Sequence, residues 1–222
     1  MLATIFLIPL CLAINAQRNV QVITKYFRYK ESVQKDSLKK MVELKTIMPD
    51  VEYDLRYATI NNFMHQRLYN TAEVTFLRLP VAIALSNVQR ELSLQGLSLK
   101  VWDAYRPYNV TVKMWKPIKD ERYVANPKNG SGHNRGIAID LTIINRLSRK
   151  ELNMGTDFDN FSDTAHVDFN KLPSEILQNR SLLKTTMEKY GFKALQTEWW
   201  HFYWHNSDFE LLDINAKKFK KN

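Results

Sequence analysis

The chain has 222 residues, of which 45% are hydrophobic and 25% charged, a balance that suits one folded domain and excludes a wholly disordered protein. The net charge of +9 at pH 7 suits a nucleic acid or an anionic cell envelope as a partner, but the sequence has no motif of a nucleic-acid-binding module. The charged residues are spread along the chain apart from a basic tail at 216–222, which we expect to be solvated or frayed. We therefore predict a single domain and no nucleic-acid partner.

The first sixteen residues carry no charge, and Leu2–Ile14 is an apolar run shorter than the about 20 residues that span a bilayer. The run ends in an A-x-A-like pattern of small residues at 13–16, which predicts a signal peptide cleaved after Ala16. The absence of a basic residue before the run counts against this prediction, and a buried N-terminal segment is the alternative. The sequence thus predicts an exported protein, periplasmic or secreted, with no stable membrane anchor after cleavage.

The only cysteine, Cys11, lies inside this predicted signal peptide. If the signal peptide is removed, the mature chain contains no cysteine. That excludes disulfides, a cysteine nucleophile and a cysteine-ligated metal.

The rest of the chain alternates helical and strand patterns. Residues 17–36 are polar and basic and are expected to form a loosely packed lead-in to a single catalytic domain at 37–215. Period-2 patterns predict strands, and apolar residues at helical spacing predict helices, with proline at the start and glycine at the end. The predicted strands are Val51–Tyr57, Leu97–Asp103, Ile137–Ile144 and Trp199–Trp204, and the predicted helices are Leu79–Gly96, Asn109–Lys119 and Ser174–Tyr190. This mixture predicts an α+β fold with an antiparallel sheet that carries the site.

The stretch from Ser131 to Asp140 contains the first candidate metal ligands. His133 and Asp140 are seven residues apart, and residues an odd number apart on one strand face opposite sides. Gly136 tolerates a bend, so His133 can lie on a loop that folds back onto the strand. Asp140 in an apolar strand needs a charged partner, which could be a metal ion or, alternatively, Arg135 or another cation.

Glu198 and His201 flank the pair Trp199 and Trp200. An apolar wall of two indoles would raise the pKa of Glu198, as a general base or acid near neutral pH requires. Alone, the pair reads better as a surface glutamate and a core histidine. Together with His133 and Asp140, it completes the three ligands and spare carboxylate of a catalytic zinc site.

The other three histidines, His65, His166 and His205, are expected to be structural or exposed, with His166 the main rival for the third ligand. Arg106 follows a predicted strand, and Pro107 biases its backbone to an extended conformation. Its guanidinium could bind a carboxylate or stabilise an oxyanion. The alternative is a weak surface ion pair with Asp103.

Five ordered blocks between Val51 and Trp204 carry a family resemblance. They are residues 54–63, Trp102–Pro107, Ser131–Thr142, Met154–Asp159 and Glu198–His201. With them the chain resembles the D-alanyl-D-alanine dipeptidases of the VanX type, zinc peptidases related to the D-Ala-D-Ala carboxypeptidases and the Hedgehog signalling domain. The resemblance implies a central antiparallel sheet flanked by helices and carrying a zinc site.

The resemblance also implies a role for each site residue. One Zn²⁺ ion would be bound by His133, Asp140 and His201. Glu198 would move a proton from the zinc water to the leaving amine, and Arg106 would stabilise the tetrahedral intermediate. The small dipeptide substrate would lie against Tyr57, Ser131 and Asp159.

The implied reaction is hydrolysis of D-alanyl-D-alanine to two D-alanines, with a role in cell-wall dipeptide turnover. The segment between Arg106 and Ser131 is short and contains Lys113–Pro117, so specificity could differ if it lines the pocket. The alternatives are a D,D- or L,D-carboxypeptidase or endopeptidase acting on peptidoglycan, and a zinc-stabilised binding domain without catalysis.

Overall fold

The computed structural model describes residues 21–205 and 209–221, so the predicted signal peptide lies outside the described residues. The strands are β1 Val22–Ile23, β2 Met41–Glu43, β3 Glu52–Tyr53, β4 Phe76–Arg78, β5 Leu97–Asp103, β6 Ala138–Asn145, β7 Phe192–Leu195, β8 Glu198–Trp204 and β9 Leu211–Leu212. The α-helices are α1 Tyr26–Lys35, α2 Leu44–Ile47, α3 Leu79–Ser93, α4 Tyr108–Ile118, α5 Gly132–Arg135 and α6 Ser174–Lys189. Single 3₁₀ segments are Ser37–Lys39, Arg56–Ala58, Asp163–Ala165 and Ala216–Lys221.

A five-stranded sheet with the order β3-β5-β6-β8-β7 forms the centre. Its pairs are antiparallel except for β3 and β5, which run parallel. The α+β fold is confirmed, with this one parallel pair at an edge of the predicted antiparallel sheet. The middle strand β6 is buried on both faces along Ala138–Ile144, because β-branched and aliphatic side chains fill the core on one side and the site lies on the other.

Most of the predicted elements form within a residue or two of their expected bounds. Helix α3 has Pro80 in its first turn, and Gly96 follows it with φ +73°, a backbone that glycine adopts without strain. The strand predicted over Val51–Tyr57 is wrong in extent, since only Glu52–Tyr53 pairs with β5. Beyond it the chain leaves the sheet edge and turns through Arg56–Ala58, which carries Tyr57 toward the site.

Within the described residues, 21–36 of the lead-in and 216–221 of the tail pack against the domain, contrary to the expectation of a loosely packed lead-in and a frayed tail. Strand β1 pairs with β9, and Tyr29 of α1 is 1% exposed, with its hydroxyl accepting a hydrogen bond from the Met41 amide at 2.7 Å. Phe219 of the tail is 3% exposed. Its ring lies 4.9 Å from that of Tyr29, so burial of aromatic surface holds both ends against the domain. Across the described ranges, no helix is long and apolar enough to cross a membrane.

Candidate active site

His133 is held on the single helical turn α5. The Ser131 hydroxyl accepts a hydrogen bond from the His133 amide at 3.2 Å, and the Asn134 side chain accepts one from the Ser131 amide at 3.0 Å, which together cap the turn. Gly136 ends it with φ +72°, and a Cβ there would come within 2.9 Å of the Met41 sulfur. The predicted bend at Gly136 is confirmed, although His133 lies on a helical turn and not on a loop.

Three side chains converge where β6 meets β8. Asp140 and His201 are paired across the strands, and His201 Nδ1 lies 2.8 Å from Asp140 Oδ1. His133 Nε2 lies 3.2 Å from His201 Nδ1 and 3.4 Å from Asp140 Oδ2. The one potential ligand atom from each residue lies within 4.8 Å of the other two. Among the alternative cationic partners, Arg135 donates to the Phe209 and Asn129 carbonyls, whereas Arg106 Nη2 lies 3.9 Å from Asp140 Oδ2.

The protonation of this cluster fits a divalent cation. His133 Nδ1 is 2.8 Å from the Ala104 carbonyl, which can only accept, so Nδ1 carries the proton and Nε2 faces the cluster with a lone pair. Burial lowers the pKa of His201, which favours the neutral imidazole that a metal needs. Burial alone would raise the pKa of Asp140, but His133 and His201 lower it. Two imidazole nitrogens and a carboxylate oxygen are a donor set typical of catalytic zinc.

Glu198 is 8% exposed and has one carboxylate oxygen 3.8 Å from His201 Nδ1. Burial raises its pKa well above the ordinary value, and the negative charges of Asp140 and Asp159 raise it further. The predicted wall of two indoles is half right, because Trp200 lines the cavity. Trp199 packs on the other side, 5.7 Å from the Trp102 ring.

A break in strand register lets Glu198 and His201 reach the same cavity. They are three residues apart and would face opposite sides of a regular strand. The register between β7 and β8 shifts between Ala194 and Leu195. Such bulges re-aim side chains next to functional sites.

Arg106 is paired with Asp103, but deep in the protein. Its Nε and Nη2 donate to Asp103 Oδ2 at 2.9 and 2.7 Å, while the Tyr69 hydroxyl donates to Asp103 Oδ1 at 2.6 Å. Asp103 is 0% and Arg106 7% exposed. The alternative of an ion pair between them is therefore right about the partners, but the pair is buried and not at the surface. Burial would lower the pKa of Arg106, but Asp103 and neighbouring tyrosines raise it. The guanidinium carbon lies 5.0 Å from the centre of the Tyr57 ring.

Asp159 forms the opposite wall of the site. Its carboxylate accepts hydrogen bonds from the Tyr57 hydroxyl at 2.9 Å and from the Phe63 amide at 3.3 Å. Burial raises its pKa to about 7. Its backbone has φ +60°, a conformation that costs free energy for a residue other than glycine and is common at functional positions.

One cavity of about 210 Å³ contains all of these groups. Every residue that the sequence indicated for the site lines it: Tyr57, Arg106, Ser131, His133, Asp140, Asp159, Glu198 and His201. Met114 and residues 121–125 also line it, so the segment between Arg106 and Ser131 does reach the pocket. The cavity is smaller than the roughly 300–1,000 Å³ of sites for drug-sized ligands.

Sequence reasoning missed the residues that support this site. Asp103 was considered only as a surface partner, although its place at a strand end three residues before Arg106 was a usable signal. The Asn134 amide donates to the Arg106 carbonyl and to the Thr111 hydroxyl, both at 2.9 Å, and so ties α5 to the Arg106 segment. The rival ligand His166 lies 3.9 Å from Asp163 and outside the metal-ligating cluster.

Comparisons with known proteins agree on one family. A model of peptidase family M15, described as D-ala-D-ala dipeptidase, matches residues 37–220. The D-alanyl-D-alanine dipeptidase of Escherichia coli K12 is 35% identical over 162 residues, which cover 73% of this chain and 83% of the relative. That of Enterococcus faecium is 32% identical over 189 residues, which cover 72% and 88%. The solved LdcB LD-carboxypeptidase matches with a TM-score of 0.39 and 21% identity over 63% of this chain and 65% of that one, a likeness too weak to bear on function.

Proposed function

This chain belongs to the D-Ala-D-Ala dipeptidase family of M15 metallopeptidases, which act on cell-wall peptides, and we propose that it hydrolyses free D-alanyl-D-alanine to two D-alanines. One observation carries the proposal. A single small cavity places three potential metal ligands, a buried glutamate, a fixed arginine and a second carboxylate around one volume. A peptide bond between two charged ends fits such a volume, whereas a longer chain meets the Asp159 wall.

The metal would be one Zn²⁺ ion held by His133, Asp140 and His201. When bound, it would supply a Lewis acid for the substrate carbonyl and lower the pKa of water. The hydrogen bond from His133 Nδ1 to Ala104 fixes the orientation of that ring, an interaction that typically strengthens metal binding.

Glu198 is the proposed proton carrier. It would take a proton from the attacking water and deliver it to the leaving amine, so the peptide nitrogen departs as a neutral amine. Its raised pKa suits this exchange, because it makes the carboxylate a stronger base toward water, while the carboxylic acid that forms is still acidic enough to protonate the leaving amine.

Arg106 is the proposed oxyanion donor. Asp103 engages its Nε and Nη2, and in the described part of the chain Nη1 has no hydrogen-bond partner. Those N–H groups are left for a developing negative charge on the substrate, and their fixed direction avoids reorganisation during the reaction.

Asp159 and Ser131 would bind the two ends of the dipeptide. The ionised Asp159 carboxylate, held by Tyr57 and the Phe63 amide, suits a free ammonium group. The Ser131 hydroxyl already accepts from the His133 amide and keeps its proton to donate to a substrate carboxylate.

A substrate panel tests the proposal. Purified zinc-loaded protein is assayed with D-Ala-D-Ala, L-Ala-L-Ala, N-acetyl-D-Ala-D-Ala and a muropeptide ending in D-Ala-D-Ala. We expect rapid cleavage of D-Ala-D-Ala alone, since acetylation removes the ammonium that Asp159 binds. If the protein cleaves the muropeptide but not the free dipeptide, its activity is that of a carboxypeptidase and not of a dipeptidase. If it binds zinc but cleaves none of these substrates, it is a non-catalytic domain.

We also propose that the protein works outside the cytoplasm, on the basis of the apolar run at residues 2–14. N-terminal sequencing of the protein recovered from cell fractions tests this. The expected result is a mature chain that starts at Gln17 in the exported fraction, and an intact Met1 in the cytoplasmic fraction would contradict it.

A further inference from the structure

The expectation that charge is spread along the chain apart from the tail is wrong for residues 21–40 once basic and acidic residues are counted by segment. Residues 41–215 contain 21 basic and 21 acidic side chains, and therefore carry no net charge at neutral pH. The segments 21–40 and 216–222 together carry ten basic and two acidic side chains. Nearly the whole excess of +9 thus comes from two short segments at opposite ends of the sequence.

The fold brings these two segments together. The Phe219 ring of the tail lies 4.9 Å from Tyr29 and 6.3 Å from Tyr26 of α1. Phe219 is 3% exposed, so the lysines on either side of it are displayed on an anchored segment. We call the resulting surface the terminal basic face and define it by six exposed lysines: Lys25, Lys30, Lys35, Lys217, Lys218 and Lys220.

The charge of this face is not neutralised within the protein. Of the two acidic residues in these segments, Glu31 pairs with Arg28 at 3.0 Å and Asp36 accepts a hydrogen bond from the Leu38 amide. In the described part of the chain, none of the six lysines forms an ion pair. Unpaired cations on two segments that pack against each other create a positive potential that attracts a polyanionic surface.

We propose that the terminal basic face docks the protein on an anionic phospholipid surface. Phe27 of α1 is 55% exposed beside Arg28, and an aromatic side chain among cations is typical of helices that lie in a membrane interface. A soluble polyphosphate has no apolar group to place against the exposed phenyl ring.

The terminal basic face is separate from the active site, because none of the six lysines lines the active-site cavity. The proposal is therefore independent of the assigned reaction. A variant that loses membrane binding is expected to hydrolyse the dipeptide in solution at the wild-type rate.

Vesicle co-sedimentation of the full chain tests the proposal. Vesicles of phosphatidylcholine mixed with phosphatidylglycerol are compared with phosphatidylcholine alone, so that insertion of the apolar N-terminal run, common to both, cancels in the ratio. The test variant replaces Lys217, Lys218 and Lys220 by glutamine. The matched control replaces three exposed lysines of the neutral segment, Lys150, Lys171 and Lys193, and so has the same net charge.

We expect the wild type to prefer the anionic vesicles and the test variant to lose about a hundredfold in that preference, since each lysine near an anionic membrane contributes roughly fivefold. The control is expected to bind within about threefold of the wild type, and Phe27→Ala to bind anionic vesicles several-fold more weakly. An equal loss in both triple variants, or no preference for anionic vesicles, would overturn the proposal. So would binding to linear polyphosphate without binding to vesicles, which would assign the face to a soluble polyanion.

Discussion

The two walls of the active-site cavity are held in different ways. The wall that carries the proposed chemistry lies on the sheet and its adjoining turn, where strand pairing sets Asp140 opposite His201. The wall that carries the proposed recognition lies on irregular segments. There, one hydrogen bond joins Tyr57 and Asp159, 102 residues apart in sequence.

This difference separates the residues proposed for catalysis from those proposed for substrate recognition. Backbone pairing keeps the strands that carry Asp140 and His201 in a fixed register, which suits the positioning within about 0.5 Å that catalysis requires. Side-chain hydrogen bonds hold the recognition wall, and single substitutions can alter them without disturbing the sheet. We therefore expect changes on the sheet wall to act on kcat and changes on the Asp159 wall to act on KM.

The largest expected effect is that of Glu198→Ala. Removal of the proton carrier is expected to lower kcat by about 10²–10⁴-fold, while zinc content stays at one ion per chain because the three ligands remain. Steady-state kinetics and metal analysis of the same sample check this. Glu188→Ala, on the exposed side of α6, is the control, and wild-type activity in the Glu198 variant would refute its role.

Arg106→Lys is expected to rank next. Lysine keeps the charge but cannot donate to Asp103 through two nitrogens while pointing a third at the substrate. Loss of one oxyanion donor typically lowers kcat by about 10²–10³-fold. Arg146→Lys, in an exposed pair with Asp50, is the control. A change confined to KM would place Arg106 on the recognition wall instead.

Asp159→Asn tests the other wall. Asparagine retains a hydrogen-bond acceptor for Tyr57 but not the charge for the substrate ammonium. We expect KM for D-Ala-D-Ala to rise by about 10–100-fold, the value of a charged hydrogen bond of about 1.5–3 kcal/mol, with a smaller change in kcat. The ratio of the KM for N-acetyl-D-Ala-D-Ala to the KM for D-Ala-D-Ala is expected to shrink by a similar factor. An unchanged ratio would show that Asp159 does not take part in substrate recognition.

The pH dependence gives the finest distinction. The pKa of Asp159 is raised to about 7 by burial, so the carboxyl group proposed to bind the ammonium is ionised above about pH 7 and protonated below it. In the wild type, kcat/KM is expected to fall on the acid side with contributions from both Asp159 and Glu198. In Asp159→Asn, the fall of kcat/KM on the acid side is expected to be about tenfold smaller for each pH unit, because one titrating group has been removed. Identical acid limbs in the two proteins would contradict the assignment.

Local sequence determined much of this site and most of the fold. Residue types indicated His133, Asp140, Glu198 and His201 only as a set, because together they supply three metal ligands and a general base, whereas each alone had an ordinary structural explanation. Gly136 was predictable for the same kind of reason, since a chain reversal with positive φ favours glycine. The pocket residues Tyr57, Ser131 and Asp159 came from family resemblance, and their spacing carries no chemical pattern of its own.

Only the tertiary structure decided how these residues are supported. Asp103 looks like a surface partner until burial beneath Tyr69 and Arg106 makes it a fixed anchor. The convergence of Glu198 and His201 on one cavity depends on the register shift between β7 and β8. The basic tail is displayed as a surface because Phe219 packs on α1. Each of these features depends on contacts between segments far apart in the chain. The sequence by itself determined which groups could react, since chemistry belongs to single side chains, whereas burial and orientation were set by the folded neighbours.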